Sequence, residues 1–199
     1  ALPGFEHFIF DKRLSENTKF ILHAYRSSDA ASRAGETITP AAQWLLDNHY
    51  LIDKNSQQVR RDLPPRFMQQ LPVYPLIPDM PRIFALAWLY VGHSDSNFSL
   101  KTLTALVEGF QTVKLLRIGE LWALPSVIRY VLIENARRLA LRVERARNMR
   151  NLANRAADEI IVAKNSDELN IVLARIQPVV ADSTFTTHLF YRLRSAPTD

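Results

Sequence analysis

The chain has 199 residues, of which 47 % are hydrophobic, and this length and composition suffice for one sizeable buried core. The absence of cysteine excludes disulfides and thiolate metal sites, and a content of only five glycines favours helices over sheets. The longest apolar run, Ile83–Val91, is too short to cross a bilayer, and the net charge of +5 is concentrated in residues 134–155.

The N-terminal part of the chain predicts two helices. From Ser15 to about Arg33, polar and apolar residues alternate at helical spacing, and Gly35 provides a stop. Thr39 followed by Pro40 is typical of an N-cap and a first-turn proline, so a second helix runs from there to about Asp62.

Six prolines between residues 64 and 81 predict an extended connector, because proline lacks the amide donor that a helix or a central strand needs. We expect the apolar side chains of the connector to pack across the helices, so that residues 1–199 form a single helical domain. These side chains are Phe67, Met68, Leu71, Val73, Tyr74 and Ile77.

The middle of the chain predicts three helices. Pro81–Val91 has the pattern of a buried helix that ends at Gly92, and Ser99 is the N-cap of the next helix. A long helix then runs from about Ile118 to about Val162, and its proline, at position 125 near the start, is either tolerated there or makes a kink.

Two short helices complete the prediction. Asn165 and Glu168 have the spacing of a capping box, which opens a helix through Ile176, and Asp182 or Ser183 opens a last helix to about Arg194. The sequence therefore predicts an all-α fold: an irregular bundle of six or seven helices with a proline-rich extended connector at about 64–81.

No pattern in the sequence points to a metal or nucleotide site. The histidines, at positions 7, 23, 49, 93 and 188, lack ligand spacing, and there is no glycine-rich phosphate loop. We therefore expect neither a metal nor a cofactor. The turn His93–Ser94–Asp95–Ser96 groups an imidazole, a carboxylate and two hydroxyls, but a structural role in capping the next helix explains it more simply.

The two glutamates of the long helix, Glu120 and Glu134, do not form a catalytic pair. Fourteen residues of helix separate them by roughly 21 Å, which is beyond the spacing of a glycosidase. Glu134 and Arg138 are four residues apart in the order that favours a surface ion pair.

Two further sets of residues leave alternatives open. Trp44, Trp88 and Trp122 lie on apolar helical stripes, which favours burial in the core over stacking on a sugar. The arginine-rich window favours a solvated or partner-facing helix over contact with an anionic membrane, and nucleic-acid binding comes last. The basic surface comprises Arg137, Arg138, Arg142, Arg145, Arg147 and Arg150.

Several ordered motifs resemble the N-terminal region of bacterial cyclic β-1,2-glucan synthases. They begin with Thr39–Tyr50 (TPAAQWLLDNHY) and Val59–Pro64 (VRRDLP), and they continue with Pro81–Trp88 (PRIFALAW) and the His93 turn. The last two are Ile118–Pro125 (IGELWALP) and Val131–Leu139 (VLIENARRL). The similarity covers roughly residues 20–150, with a weaker similarity at Phe185–Arg194.

The resemblance implies that this chain is a fragment of a large inner-membrane enzyme that polymerises and cyclises glucose from UDP-glucose. The catalytic motifs of that family lie outside these residues, so we expect a non-catalytic scaffolding or docking domain on the cytoplasmic side of the membrane, in contact with the remaining modules of the synthase. The alternatives are a β-1,2-glucan-binding module and an Arg-rich helix on an anionic membrane surface. Candidate saccharide or interdomain contacts are Trp44, Arg82, Trp88, His93, Asp95, Glu120 and Trp122.

Overall fold

The computed structural model describes residues 9–75, 80–95 and 97–196, and within these ranges it contains α-helices and no strand. The all-α prediction is therefore confirmed. The helices are α1 (Phe10–Arg33), α2 (Pro40–Asp62), α3 (Pro65–Met68), α4 (Arg82–His93), α5 (Leu100–Val113), α6 (Ile118–Val162), α7 (Ser166–Ile176) and α8 (Ser183–Arg194), with a 3-10 turn at Gln177–Val179.

Side-chain caps begin several helices where the sequence predicted them. Thr39, Ser99 and Asn165 each accept a hydrogen bond from a backbone N–H of the following first turn. Asp182, one of the two residues proposed for the start of α8, caps it through the amides of Thr184 and Phe185. These helix starts follow from local chemistry, since each cap satisfies a donor that the helix itself leaves without a partner.

Two predicted helix bounds were wrong. α1 starts at Phe10 instead of Ser15, because Phe10 and Leu14 extend the buried stripe of this helix by one turn. α4 runs through Gly92 to His93 and is capped by the amide of Ser94, which donates to Tyr90 O at 2.9 Å. Gly92 therefore does not end the helix.

The proline-rich connector is less extended than predicted. Its first part forms the single-turn helix α3, in which Pro65 takes the first position, where a missing N–H costs nothing. Val73 and Pro81 then form an isolated antiparallel bridge, and Val73 is exposed instead of packing across the helices. Leu71 is buried in the core, as expected, whereas Ile77 and the rest of 76–79 lie outside the described residues.

Residue contacts divide the chain into two compact units, Ala1–Ala140 and Leu141–Asp199. The single domain expected from the sequence stays a prediction, since this division does not measure how the chain unfolds. Among the described residues, no helix is both long enough and apolar enough to pass through a lipid bilayer.

An aromatic cluster lies at the centre of the first unit. Phe10 of α1, Phe84 of α4 and Tyr130 of α6 have ring centroids 5.1–5.9 Å apart. The steep angle of the Phe84 ring to both of its neighbours is the edge-to-face arrangement that aromatic pairs favour. This cluster fixes α1, α4 and α6 against one another and thereby positions the groups described below.

The core of the second unit is built on small residues. Ala153, Ala156 and Ala157 of α6 are fully buried, and Ile176 of α7 and Phe185 of α8 pack on them. Small side chains on α6 therefore face larger ones from α7 and α8.

Candidate functional site

A groove of about 450 Å³ lies between α2 and α6 in the first unit. Trp44 and Leu51 line it from α2, while Leu132 and Leu139 line it from α6. Each pair is seven residues apart, so both members lie on one face of their helix. The indole of Trp44 is at the edge of the groove, and the residue keeps 45 % of its surface exposed. The groove thus presents an accessible aromatic ring in a largely apolar trough.

Polar groups accompany the tryptophan along this groove. Asn48 Nδ2 donates to Trp44 O at 2.8 Å and Asn55 Nδ2 donates to Leu51 O at 2.7 Å, so α2 holds both amides in place. Arg129 adds a cationic donor from α6, where its Nη1 also donates to Ser126 Oγ at 3.3 Å. An apolar trough with an aromatic ring and a few fixed polar groups has the composition of a small-ligand site.

The three tryptophans do not share one environment, and the expectation that all three belong to the core was wrong. Trp44 and Trp122 are exposed, whereas Trp88 is half-buried and packs on Phe84 with ring centroids 6.0 Å apart. A helical apolar stripe marks which side of a helix is apolar, but it does not show whether another element covers that side. The three rings also do not form one site, since Trp44 lines the groove and Trp88 and Trp122 do not.

Arg82 and Glu120, two of the candidate contacts, form a buried bidentate ion pair. Arg82 Nε and Nη2 donate to the two carboxylate oxygens of Glu120, both at 2.7 Å, and Nη2 also donates to Leu115 O at 2.7 Å. Glu120, at the third position of α6, accepts from the Arg117 amide at 2.9 Å, as the glutamate of a capping box does. The guanidinium also lies 5.7 Å from the centre of the Phe110 ring.

The electrostatics of this pair keep Glu120 ionised. Burial alone would raise the pKa of Glu120, but the hydrogen bonds from Arg82 and from the Arg117 amide hold that pKa below its usual value. A buried carboxylate with this environment is a poor general acid, because it does not carry a proton near neutral pH. Arg82 and Glu120 therefore join α4 to the start of α6 and are closed to a ligand.

Glu134 has a similar role, and the predicted surface pair with Arg138 was wrong. The carboxylate is buried and accepts from the Arg13 guanidinium of α1 and from Tyr130 Oη, the latter at 2.9 Å. Burial opposes ionisation, yet the bonds from Arg13 hold the pKa of Glu134 below its usual value. Burial also raises the pKa of Tyr130 well above the ordinary range. Arg138, one turn further along α6, is exposed to solvent.

The turn after α4 has a structural role in the described residues. His93 and Asp95 are exposed, and Asp95 has φ 50°, a left-handed conformation that suits a turn. Ser96 lies outside the described residues. Tyr90 Oη accepts from the Ser99 amide at 2.7 Å and donates to Ser99 O at 3.1 Å, which ties the end of the turn to α4.

The arginine-rich window is not a uniform solvated face. Arg137 lies over the Phe20 ring at 5.7 Å, and Arg145 pairs with Asp182 at 3.0 Å in the second unit. Arg147 is half-buried, whereas Arg138 and Arg142 are exposed. Some of these arginines thus pack on a ring or form an ion pair, and others are exposed to solvent. This difference argues against one continuous basic surface.

The sequence did not reveal a second pocket, which lies within the second unit. Arg150 of α6 lines it together with Thr184, Thr187, His188 and Tyr191 of α8. His188 Nε2 lies 3.0 Å from Asn154 Oδ1, and burial together with the nearby positive charges of Arg150 and Arg192 lowers the pKa of His188. The spacing 184, 187, 188 and 191 marks one face of a helix and was the signal available. Within the described ranges, no three histidine, aspartate or glutamate side chains form a group suited to a metal ion.

Comparison with known proteins identifies a relative for nearly the whole chain. No family model matches the sequence. Over 195 residues, which is 98 % of this chain, it is 50 % identical to the cyclic beta-(1,2)-glucan synthase NdvB of Rhizobium meliloti (strain 1021). The chain spans only 7 % of the length of that relative. The resemblance inferred from the motifs is thereby confirmed: this chain is homologous, almost from end to end, to one segment of a bacterial cyclic β-1,2-glucan synthase.

Proposed function

We propose that this chain is a non-catalytic helical scaffolding and docking module of a cyclic β-1,2-glucan synthase, an enzyme that polymerises and cyclises glucose from UDP-glucose. Its partners are the remaining modules of the synthase, and its place is the cytoplasmic side of the bacterial inner membrane. It needs no cofactor of its own, and nucleic acid is not among its partners. The identity to the Rhizobium meliloti synthase supports the assignment to such an enzyme.

The environment of the buried carboxylates carries the non-catalytic part of this proposal. Among the described residues, the buried acidic side chains are Glu120 and Glu134, and each forms an ion pair with an arginine. These ion pairs join α6 to α4 and to α1. A module with this arrangement holds helices in place and presents its outer surface to partners.

A segment exchange tests the proposal. This chain replaces the matching segment of the Rhizobium meliloti synthase, and cyclic glucan formed from UDP-glucose is measured in membranes. We expect glucan synthesis, and we expect it to continue when His93→Ala and Asp95→Asn are introduced into the exchanged segment. Glucan formation by the isolated 199-residue chain, or loss of turnover with the two substitutions in a fully assembled enzyme, would contradict the proposal.

The groove between α2 and α6 favours a second candidate function, the binding of β-1,2-glucan. The exposed ring of Trp44 offers a stacking face, and Asn48, Asn55 and Arg129 offer hydrogen bonds to hydroxyls. Trp44→Ala should weaken binding of linear β-1,2-glucans by about tenfold, the loss expected for one aromatic platform. Tyr50→Ala is the matched control, since Tyr50 is an exposed aromatic residue of the same helix outside the groove.

Isothermal titration calorimetry measures both variants. If the wild-type chain gives no binding heat with linear β-1,2-glucans, or if Tyr50→Ala weakens binding as much as Trp44→Ala, the groove is not a glucan site. The module proposal does not depend on this result, because it requires docking within the synthase and not sugar binding.

A further inference from the structure

Exposed apolar residues are concentrated where α5 leads into α6. Val113 at the end of α5 is 89 % exposed and Trp122 in the first turns of α6 is 75 % exposed. Leu115, Ile118 and Leu121 between them are also exposed. We call these five residues the α5–α6 tip. Ile118, Leu121 and Trp122 are spaced i, i+3 and i+4, so they form one face of α6.

The backbone of the tip is fixed from the protein interior. The carbonyl of Leu115 accepts from buried Arg82, and the amide of Arg117 donates to buried Glu120. Leu116, between them, is itself buried. Glu120 lies on the opposite side of α6 from Ile118, since two residues of helix correspond to a rotation of about 200°. The ion pair therefore anchors the inner side of this segment while its apolar side chains face solvent.

The accessible charges at the tip are positive. Lys114 and Arg117 lie among its apolar residues and both are exposed. Between positions 113 and 122 the one acidic residue is Glu120, which is fully buried and paired with Arg82, and the nearest exposed acidic residue before it in the sequence is Glu108 of α5. Residues 113–122 thus offer two exposed cations to a partner, while the one carboxylate among them is shielded.

We propose that the α5–α6 tip binds the surface of an anionic lipid bilayer, with Trp122 and its aliphatic neighbours at the headgroup boundary. Tryptophan prefers the membrane–water interface because its indole combines a large apolar body with one polar N–H. Lys114 and Arg117 add attraction to anionic headgroups, which act on cations within a Debye length of the surface. This combination of side chains and charge favours a lipid surface over a second protein.

The α5–α6 tip is distinct from the arginine-rich window at residues 134–155 of α6. Arg145 is paired with Asp182 and Arg137 packs on Phe20, so these cations are engaged within the protein. The tip, in contrast, has apolar side chains as well as cations directed to solvent.

Vesicle co-sedimentation tests the proposal with the 199-residue chain. We expect binding to vesicles of phosphatidylglycerol and phosphatidylcholine, and much weaker binding to phosphatidylcholine alone or at high salt. Trp122→Ala should lower the partition coefficient by about tenfold or more, because one large apolar side chain is no longer buried. Tyr50→Ala is the control, since it removes an exposed aromatic residue of α2 away from the tip.

Two further measurements distinguish insertion from other kinds of association. The difference in fluorescence between the wild type and Trp122→Phe isolates the emission of Trp122, which should shift to the blue on binding and be quenched by brominated lipids. Lys114→Gln with Arg117→Gln should lower binding to anionic vesicles by about tenfold, whereas Lys54→Gln on α2 should leave it unchanged.

The proposal is overturned if Trp122→Ala binds anionic vesicles as well as the wild type does. It is also overturned if the chain dimerises without lipid and Trp122→Ala abolishes the dimer, because a second copy would then cover the tip. Circular dichroism of each variant confirms that the substitution leaves the helices intact.

Discussion

Arg82→Met should destabilise the chain strongly, because it leaves Glu120 buried without its partner. The methionine retains much of the apolar volume of the arginine stem, so the main loss is electrostatic. Removing one member of a buried ion pair costs about 3–5 kcal/mol in free energy of unfolding. Glu120 has no accessible surface in the wild type, which places the expected loss in this range instead of the smaller range of surface pairs.

Urea unfolding followed by far-ultraviolet circular dichroism measures this loss. Arg33→Met is the matched control, since Arg33 pairs with Asp29 on the surface of α1 and its loss should cost less than about 1 kcal/mol. The double variant Arg82→Met/Glu120→Met removes both charges and should recover at least about 2 kcal/mol of the loss.

The pH dependence identifies the cause of the loss. In the wild type the pKa of Glu120 is lowered, so its stabilising contribution is complete above the pKa of an unfolded glutamate and falls as the pH drops through the folded pKa. Without Arg82, burial raises the pKa of Glu120, so mild acid neutralises it and reduces the deficit of Arg82→Met. If the deficit is the same at neutral pH and in mild acid, or if the double variant recovers nothing, the reasoning about an unpaired charge is refuted.

Two smaller effects should follow from other contacts. Glu134→Gln should cost about 1–3 kcal/mol, because the Arg13 guanidinium loses its charged acceptor, and it should reduce the loss of stability in acid, since the lowered pKa of Glu134 contributes to that loss. Equal acid sensitivity of the variant and the wild type would contradict this. Thr39→Ala should cost about 1 kcal/mol through loss of the cap on Ala42 N, as measured by thermal unfolding, and Thr39→Ser should retain most of the stability.

Local chemistry explains which helices the sequence predicted well. Thr39 with Pro40 fixed the start of α2, and the continuous apolar spacing after Ile118 predicted the 45 residues of α6 through an internal proline. The four-residue α3 was missed because a run of prolines indicates an extended chain, although a proline at the first position of a short turn is well tolerated.

The sequence drew attention to Arg82 and Glu120 as polar candidates, but it did not show that they pair with each other. Arg82 and Glu120 are 38 residues apart and Arg13 and Glu134 are 121 apart, so nothing in their local spacing indicated that they pair. The surface pair expected for Glu134 and Arg138 followed a rule for isolated helices, and it failed because α1 brings Arg13 to the buried carboxylate.

The sequence by itself determined the helical class and most helix starts, because helical periodicity and capping act within a few residues of the chain. The tertiary structure decided which apolar faces are covered: Trp88 is half-buried beside Phe84, while Trp44 lines a groove and Trp122 is left exposed beside Lys114 and Arg117. A stripe of apolar residues has the same pattern in all three cases, and only the position of neighbouring helices distinguishes a core from a surface that can bind a partner.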